Sequence, residues 1–484
     1  MNSFEGINEM QDHTCIRYNE ASYARNCDTR GGILSTAKTS DIYINKTFEK
    51  PIGTLMRYIK DNIEYLLVAT GNKLLEVDTK GNTKVIYDKL TSDKLDYVNV
   101  NYKSEDMLVI CNGVDETLLY DGHTIRPLRN RGYLTSIDVE GETKVNIIDT
   151  NGKSISEKEA ENTRSPKGKF VELHFERLWM AGDLEHPDRL YFSTANVNGF
   201  DIEDWTFPLE EGEANQHGGI IEIPSYDGGK IIGLKTIFND VVIFKTHNMF
   251  RIFGTYPGNY EVEQLFSCNG GISDRSIVAT NNKVYFANAD GIYIFDGTNV
   301  TKISDKIKES WKMFSEEELK NSTGAYRDGI YILSIPKDGK SYIVEFDETA
   351  NTFMICEDKA TKSFVKYKEK LLFENNNQIY VYKESTKGVK EAIWKSGLYD
   401  MGCQDARKRS EYIYFIGIGN GKVKITATTD RRSKSIIVDL DEQERVYRKK
   451  LKSKGRAFQL TIENVDGSSF IIKKPKVTIE LDVD

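Results

Sequence analysis

One pattern recurs along most of this chain and restricts what it can fold into. A polar turn is followed by a short apolar strand, a few linking residues, a second such strand, and an Asp-Gly or similar turn. It appears as Asp61-Asn62-Ile63-Glu64-Tyr65-Leu66-Leu67-Val68, then Lys73-Leu74-Leu75-Glu76-Val77-Asp78. It returns as Met107-Leu108-Val109-Ile110 with Thr117-Leu118-Leu119-Tyr120-Asp121-Gly122, and as Asn239-Asp240-Val241-Val242-Ile243-Phe244 with Asn248-Met249-Phe250-Arg251-Ile252-Phe253-Gly254. Asn282-Lys283-Val284-Tyr285-Phe286 with Gly291-Ile292-Tyr293-Ile294-Phe295-Asp296-Gly297 is the cleanest copy. Further copies start at Asp328 and Lys370, and Phe175 to Gly182 with Arg189 to Ser193 is a divergent one. Hairpins spaced roughly 40 to 55 residues apart mark a β-propeller, because one blade cannot bury both its faces alone and a closed ring of blades can. Asp-Gly turns supply the positive φ of tight hairpins. The expectation is an all-β chain: a propeller of six to eight blades, with tandem β-sandwiches as the competing arrangement.

Composition agrees with strands. Of 484 residues, 26 are Tyr and 22 Phe, against only nine prolines, and aromatic residues suit a pleated, half-buried surface. No apolar run approaches the roughly 18 to 20 residues of a spanning helix, and no signal peptide is visible at the start. Six scattered cysteines without a C-x-x-C pair read as free thiols.

Charge divides the chain. From 396 to 484 the balance is +5, whereas the first 395 residues carry −13. The tail also contains alternating strands such as Glu411-Tyr412-Ile413-Tyr414-Phe415-Ile416 and Lys476-Val477-Thr478-Ile479-Glu480-Leu481. The expected domains are therefore a propeller over 1–395 and a β-sandwich-like domain over 396–484. Within the first, 151–169 is almost devoid of apolar residues and reads as a solvated loop. Over 305–320 a helix is expected, with Ile307, Trp311, Phe314 and Leu319 on one stripe and Ser304 as N-cap.

Enzyme chemistry finds little support in the residues. The six histidines have no metal-like spacing, and neither a Gly-x-Ser-x-Gly elbow nor a phosphate-cradling Gly-x-x-x-x-Gly-Lys occurs. No catalytic residue, cofactor or metal is expected. The strongest local feature is basic: Arg445, Arg448, Lys449, Lys450, Lys452, Lys454 and Arg456 lie within twelve residues. Such a cluster docks an acidic protein, neutralises phosphates, or simply discourages strand-edge aggregation.

Several stretches resemble the propeller-type tail proteins of tailed bacteriophages, namely the tail-hub or packaged-DNA-stabilisation proteins and the tail nozzle proteins. They include Phe4-Glu5-Gly6-Ile7-Asn8, the run Glu20 to Leu34, Arg177-Leu178-Trp179-Met180-Ala181-Gly182, Pro187 to Ser193, Ile232-Gly233-Leu234 with Val241 to Lys245, and Gly291 to Gly297. The resemblance implies a structural, non-enzymatic virion component, assembled in the host cytoplasm into a homo-oligomeric, commonly hexameric, ring among other tail or connector proteins. Such a ring helps retain the genome and forms part of the ejection channel, passing DNA without sequence readout and without membrane insertion. An acidic or neutral lining would let DNA slide, since it makes no phosphate contacts. The competing function is a carbohydrate-binding or glycoside-cleaving propeller acting on host surface sugars.

Overall fold

The computed structural model describes residues 3–130, 133–139, 142–148, 154–155, 164–196, 202–205, 218–223, 229–267, 271–403 and 405–482. Among them are seven four-stranded antiparallel sheets, and each recurring hairpin supplies central strands of one of them. The innermost strands, in order of blades 1 to 7, are Ile52–Lys60, Asp96–Tyr102, Phe170–His174, Ile231–Ile237, Val278–Ala279, Thr323–Arg327 and Phe364–Tyr367. Each touches the innermost strand of the next blade, and the last touches the first, so the ring closes. This is a seven-bladed propeller, within the expected range of six to eight.

Burial explains why central strands read as continuous apolar runs. In blade 4 the second strand, Asp240–Lys245, is buried from Val241 onward, because its two faces pack against different neighbours. Separate apolar clusters fill the junctions: Leu66 and Val68 meet Leu372 between blades 1 and 7, and Val242 and Phe244 meet Phe286 between blades 4 and 5. The expected Asp-Gly turns hold positive φ, +93° at Gly297 and +82° at Gly329.

Closure uses the other end of the chain. Blade 7 has three strands of its own, and its fourth is Thr39–Ile44, paired with Gln378–Ser385. Apart from a three-stranded sheet of Tyr133–Val139, Glu142–Ile148 and Ser154–Ile155, the remaining described strands form two five-stranded sheets. The first runs Ala21–Arg25, Ile393–Ser396, Phe458–Asn464, Lys422–Thr429, Ser433–Asp439; the second runs Cys27–Asp28, Leu34–Thr36, Phe470–Asp482, Arg407–Gly419, Arg445–Gly455. Trp394, Ile425 and Ile462 of one share a buried core with Ile413, Phe415 and Ile472 of the other, the arrangement of a sandwich.

The domain boundaries therefore differ from the expected ones at the N-terminus. Residues 21–36, placed with the propeller by sequence position, pair into the sandwich, Ala21–Arg25 with Ile393–Ser396 and Leu34–Ser35 with Ile471–Ile472, partners more than 350 residues away that sequence position does not reveal. Ile7 bridges both Ala21 and Phe353, and Asn26 receives the Glu357 N–H at 2.7 Å while donating its own N–H to Ile355 at 3.0 Å. The sandwich is thus fastened to Thr352–Asp358, the outer strand of blade 6.

Two local expectations also change. The stripe Ile307, Trp311, Phe314 and Leu319 is buried as expected, but the segment is broken into a 3-10 turn Ser304–Ile307 and the helices Lys308–Trp311 and Glu316–Lys320. Ser304 accepts the Ile292 N–H at 3.0 Å instead of capping. Ser315 starts the last helix, its hydroxyl accepting the Glu318 N–H while the Glu318 carboxylate accepts the Ser315 N–H, a capping box in mid-segment. In the expected loop 151–169, Ser154–Ile155 pairs with Glu142–Ile148; 151–153 and 156–163 lie outside the described residues.

Candidate functional site

The seven basic residues singled out in the sequence fall on and just after one strand, Arg445–Gly455, which ends the second sandwich sheet and pairs on one side with Arg407–Gly419. The pleat distributes them unequally. Tyr447 and Leu451 turn inward, Tyr447 stacking on Phe415 at 5.2 Å and Leu451 buried. Arg448 stands opposite Tyr414 and Lys450 opposite Tyr412. The Arg448 guanidinium lies over both rings, 4.1 Å from the Tyr412 centroid and 5.5 Å from that of Tyr414, a cation–π contact that orients it. Lys449 stands opposite buried Ile413 yet is exposed, and a lysine on a terminal strand discourages edge-to-edge pairing.

The other members are anchored. Arg445 pairs with Asp441 at 2.8 Å, and Lys452 with Glu411 at 3.4 Å. Arg409 and Lys452 hold the Glu411 carboxyl below its ordinary value. Arg456 donates its backbone N–H to Asp430 at 2.6 Å and offers its carbonyl to the fully buried Lys408 ammonium at 2.8 Å. Lys454 stands opposite Arg409. Strand pairing adds what linear sequence concealed: Lys476 lies opposite Tyr414 on the far side. The alternation of half-buried Tyr412 and Tyr414 with buried Ile413 and Phe415 is the signal that marks the tyrosines as outward-facing.

A second site was not singled out from sequence. On the face that carries the entries to the innermost strands, the propeller encloses a cavity of about 1110 Å³ lined by all seven blades. Its wall mixes eight cationic side chains with six carboxylates. Lys169, entering blade 3, pairs with Asp274, entering blade 5, at 3.0 Å. Arg275 donates to the Lys362 carbonyl at the entry of blade 7. These contacts skip blades 4 and 6 and form two chords of the ring. Deeper in the wall, Lys235 pairs with Glu172. Burial works against both charges; it leaves the Glu172 carboxyl above its ordinary value, while Glu172 and Asp96 together still raise the Lys235 ammonium. Glu374 is the most perturbed carboxyl of this wall. Buried to 3% exposure, it is pushed up to about 7 by desolvation, against the pull of the Lys362 N–H at 2.5 Å. The Thr361 hydroxyl also donates to it, at 3.4 Å.

Among the described residues, no group of three or more His, Cys, Asp or Glu can hold a metal ion, and no helix is long and apolar enough to cross a membrane.

A scan against protein-family models finds none that matches the chain, and a search of curated proteins returns no match. Solved structures that resemble it share little sequence. BBS1N, crystallised in complex with ARL6DN, is 10% identical over 74% of this chain and 99% of its own, with a TM-score of 0.31. The Neurospora crassa Pan2 WD40 domain is 8% identical over 73% of this chain and 98% of its own, at 0.38. The extracellular domain of a putative hybrid two component system from B. thetaiotaomicron is 9% identical over 91% of this chain and 63% of its own, at 0.45.

Proposed function

We propose that this chain is a structural subunit of a bacteriophage virion, forming a homo-oligomeric ring, commonly a hexamer, at the tail hub or nozzle. In that position it helps retain the packaged genome and contributes to the ejection channel. The sequence resemblance suggests the setting, and the observation that carries the reading is the lacing of the two domains. A sandwich with a cationic, tyrosine-bearing edge is stitched by both chain ends to an acidic propeller, giving one subunit two surfaces of opposite charge. Rings close when identical subunits make head-to-tail contacts at a suitable rotation.

The DNA path in this reading runs between subunits and not through the propeller. The propeller cavity is close to small-ligand size, about 300–1,000 Å³ being usual, and the Lys169–Asp274 and Arg275–Lys362 chords cross it. Its lining is mixed in charge, so in this reading DNA slides along the outside of the propeller, whose part of the chain is acidic overall. Electron microscopy of intact particles tests the proposal. A ring around the tail axis is the expected result; absence from virions, or an off-axis spike without a channel, overturns it.

The cavity favours one second reading, a carbohydrate-directed propeller, since Tyr97, Phe170 and Phe364 line it together with Glu374. Binding or hydrolysis of bacterial polysaccharides, lost on Glu374→Gln, supports that reading, and inertness toward a broad panel rejects it.

A further inference from the structure

Two strand edges on this molecule are each guarded against themselves and complementary to each other. Strand Arg445–Gly455 carries six cations and no carboxylate. Among the described residues no strand pairs with its outer side, although Ser433–Asp439 lies near it and Thr429 donates to the Lys454 carbonyl at 3.3 Å, and Val446 toward its start is 76% exposed. Glu261–Ser267, the outer strand of blade 4, carries Glu261 and Glu263 and no cation of its own, although Arg251 on the neighbouring strand pairs with Glu263 at 2.7 Å; residues 261–264 are exposed, with Val262 at 41%. Among the described residues it pairs on one side only, with Asn248–Phe253. Among the outer strands of the seven blades it is one of two with seven residues, and the other, Thr352–Asp358, is covered by the N-terminal segment.

Like charges directly opposite one another across a strand pair are destabilising, and opposite charges are favourable. A lysine-rich edge therefore repels a second copy of itself, which is how natural edges avoid aggregation. The same lysines favour an acidic edge. We infer that Arg445–Gly455 of one copy pairs, edge to edge, with Glu261–Ser267 of a second copy. Main-chain hydrogen bonds supply affinity in such strand addition and side chains supply selection. Val446 and Val262, both open to water in the single chain, become covered. The contact uses two different surfaces, so it is heterologous and propagates into a ring or a filament. It rests on the ring reading above and names the surfaces that join the subunits.

The test uses the full chain at low salt, with association followed by sedimentation velocity and amide hydrogen exchange. Association is expected to rise with protein concentration and to weaken steeply with salt. Amides within 445–455 and 261–267 should gain protection together as it does. The triple change Arg448→Glu, Lys449→Glu and Lys450→Glu should weaken association by roughly tenfold or more. Adding Glu261→Lys and Glu263→Lys in the same chain should restore it. Should the triple variant misfold by circular dichroism, the exchange pattern of the unaltered chain decides. A chain that stays monomeric up to its solubility limit, association without protection of 261–267, or failure of the charge swap to restore it overturns the inference. Rings in virions joined elsewhere would defeat this inference and leave the ring reading standing. Edge pairing by a protein absent from virions would do the reverse.

Discussion

The indole N–H of Trp394 donates to the carbonyl of Glu5 at 3.2 Å, joining two points 389 residues apart in the chain. Phe4 meets the same indole edge-on, with centroids 4.9 Å apart and planes at 89°. Trp394 is fully buried and belongs to the core shared by the sandwich and blade 6. Trp394→Ala is expected to cost about 3–5 kcal/mol, the usual range for emptying a buried aromatic site. Urea titration measures it. A loss below about 1 kcal/mol would mean that the N-terminal strap contributes little to holding the domains together.

Trypsin offers a second check on the strap. The connection between blade 7 and the sandwich is open at Lys387 and Lys390, both exposed. A nick there severs the chain but not the sandwich, whose sheets take strands from both sides of the cut. The two fragments should co-elute in size exclusion and separate only in denaturant. Independent elution of a fragment beginning near 391 would contradict the pairing of Ala21–Arg25 with Ile393–Ser396.

How far the sequence could be read follows from where each signal resides. Seven hairpins were legible because both strands and their turn are contiguous, and turns such as Asp296-Gly297 announce positive φ. The fourth strand of blade 7 was not, since nothing around Thr39–Ile44 identifies Gln378–Ser385 as its partner. The helix stripe was correct in its buried residues and wrong in continuity, because the Ser315–Glu318 capping box interrupts it. Of the basic cluster, sequence spacing shows a dense charge but not that Arg448 lies on Tyr412 while Lys449, opposite Ile413, stays exposed. The cavity residues Asp274 and Arg275 belong to blade 5 and Lys362 and Glu374 to blade 7, too far apart in the chain for a local window to contain them.

Glu374 gives the stability a pH signature. Its folded value near 7 lies above the ordinary 4.5, so between those values the folded form holds a proton that the unfolded form has released. The contribution of Glu374 is therefore fully present below about pH 4.5, falls between there and about pH 7, and is level beyond, the loss being on the order of 3 kcal/mol. Glu374→Gln keeps an oxygen for the Lys362 N–H and loses the titration. Melting temperatures of the two proteins across pH 4.5–7.5 should converge in slope only at the alkaline end; parallel curves throughout would refute the assignment.

Lys408 is a buried cation satisfied by backbone alone. Its ammonium donates to the carbonyls of Cys403, Ala406 and Arg456, with no exposed surface. Lys408→Met matches the length and removes every donor. The expected cost is about 2–3 kcal/mol, the range for charge-assisted hydrogen bonds, with faster exchange of amides over 403–408. Unchanged stability would show that water replaces the ammonium without penalty.

The order in which the strands are made has its own consequence. Strands Ala21–Arg25, Leu34–Thr36 and Thr39–Ile44 are synthesised before the blades, yet their distant partners begin at residues 393, 470 and 378. At about 5–20 residues per second, roughly 20–90 s separate the synthesis of Leu34 from that of its partner Ile472. Blades 1 to 6 can close pairwise in that interval, while the first strands wait unpaired with their apolar side chains uncovered. A polypeptide released before these partners are made would therefore complete neither the ring nor the sandwich, and the waiting strands would remain a ready substrate for chaperones and proteases. Synthesis through the last strand is what makes the protein's two halves one object.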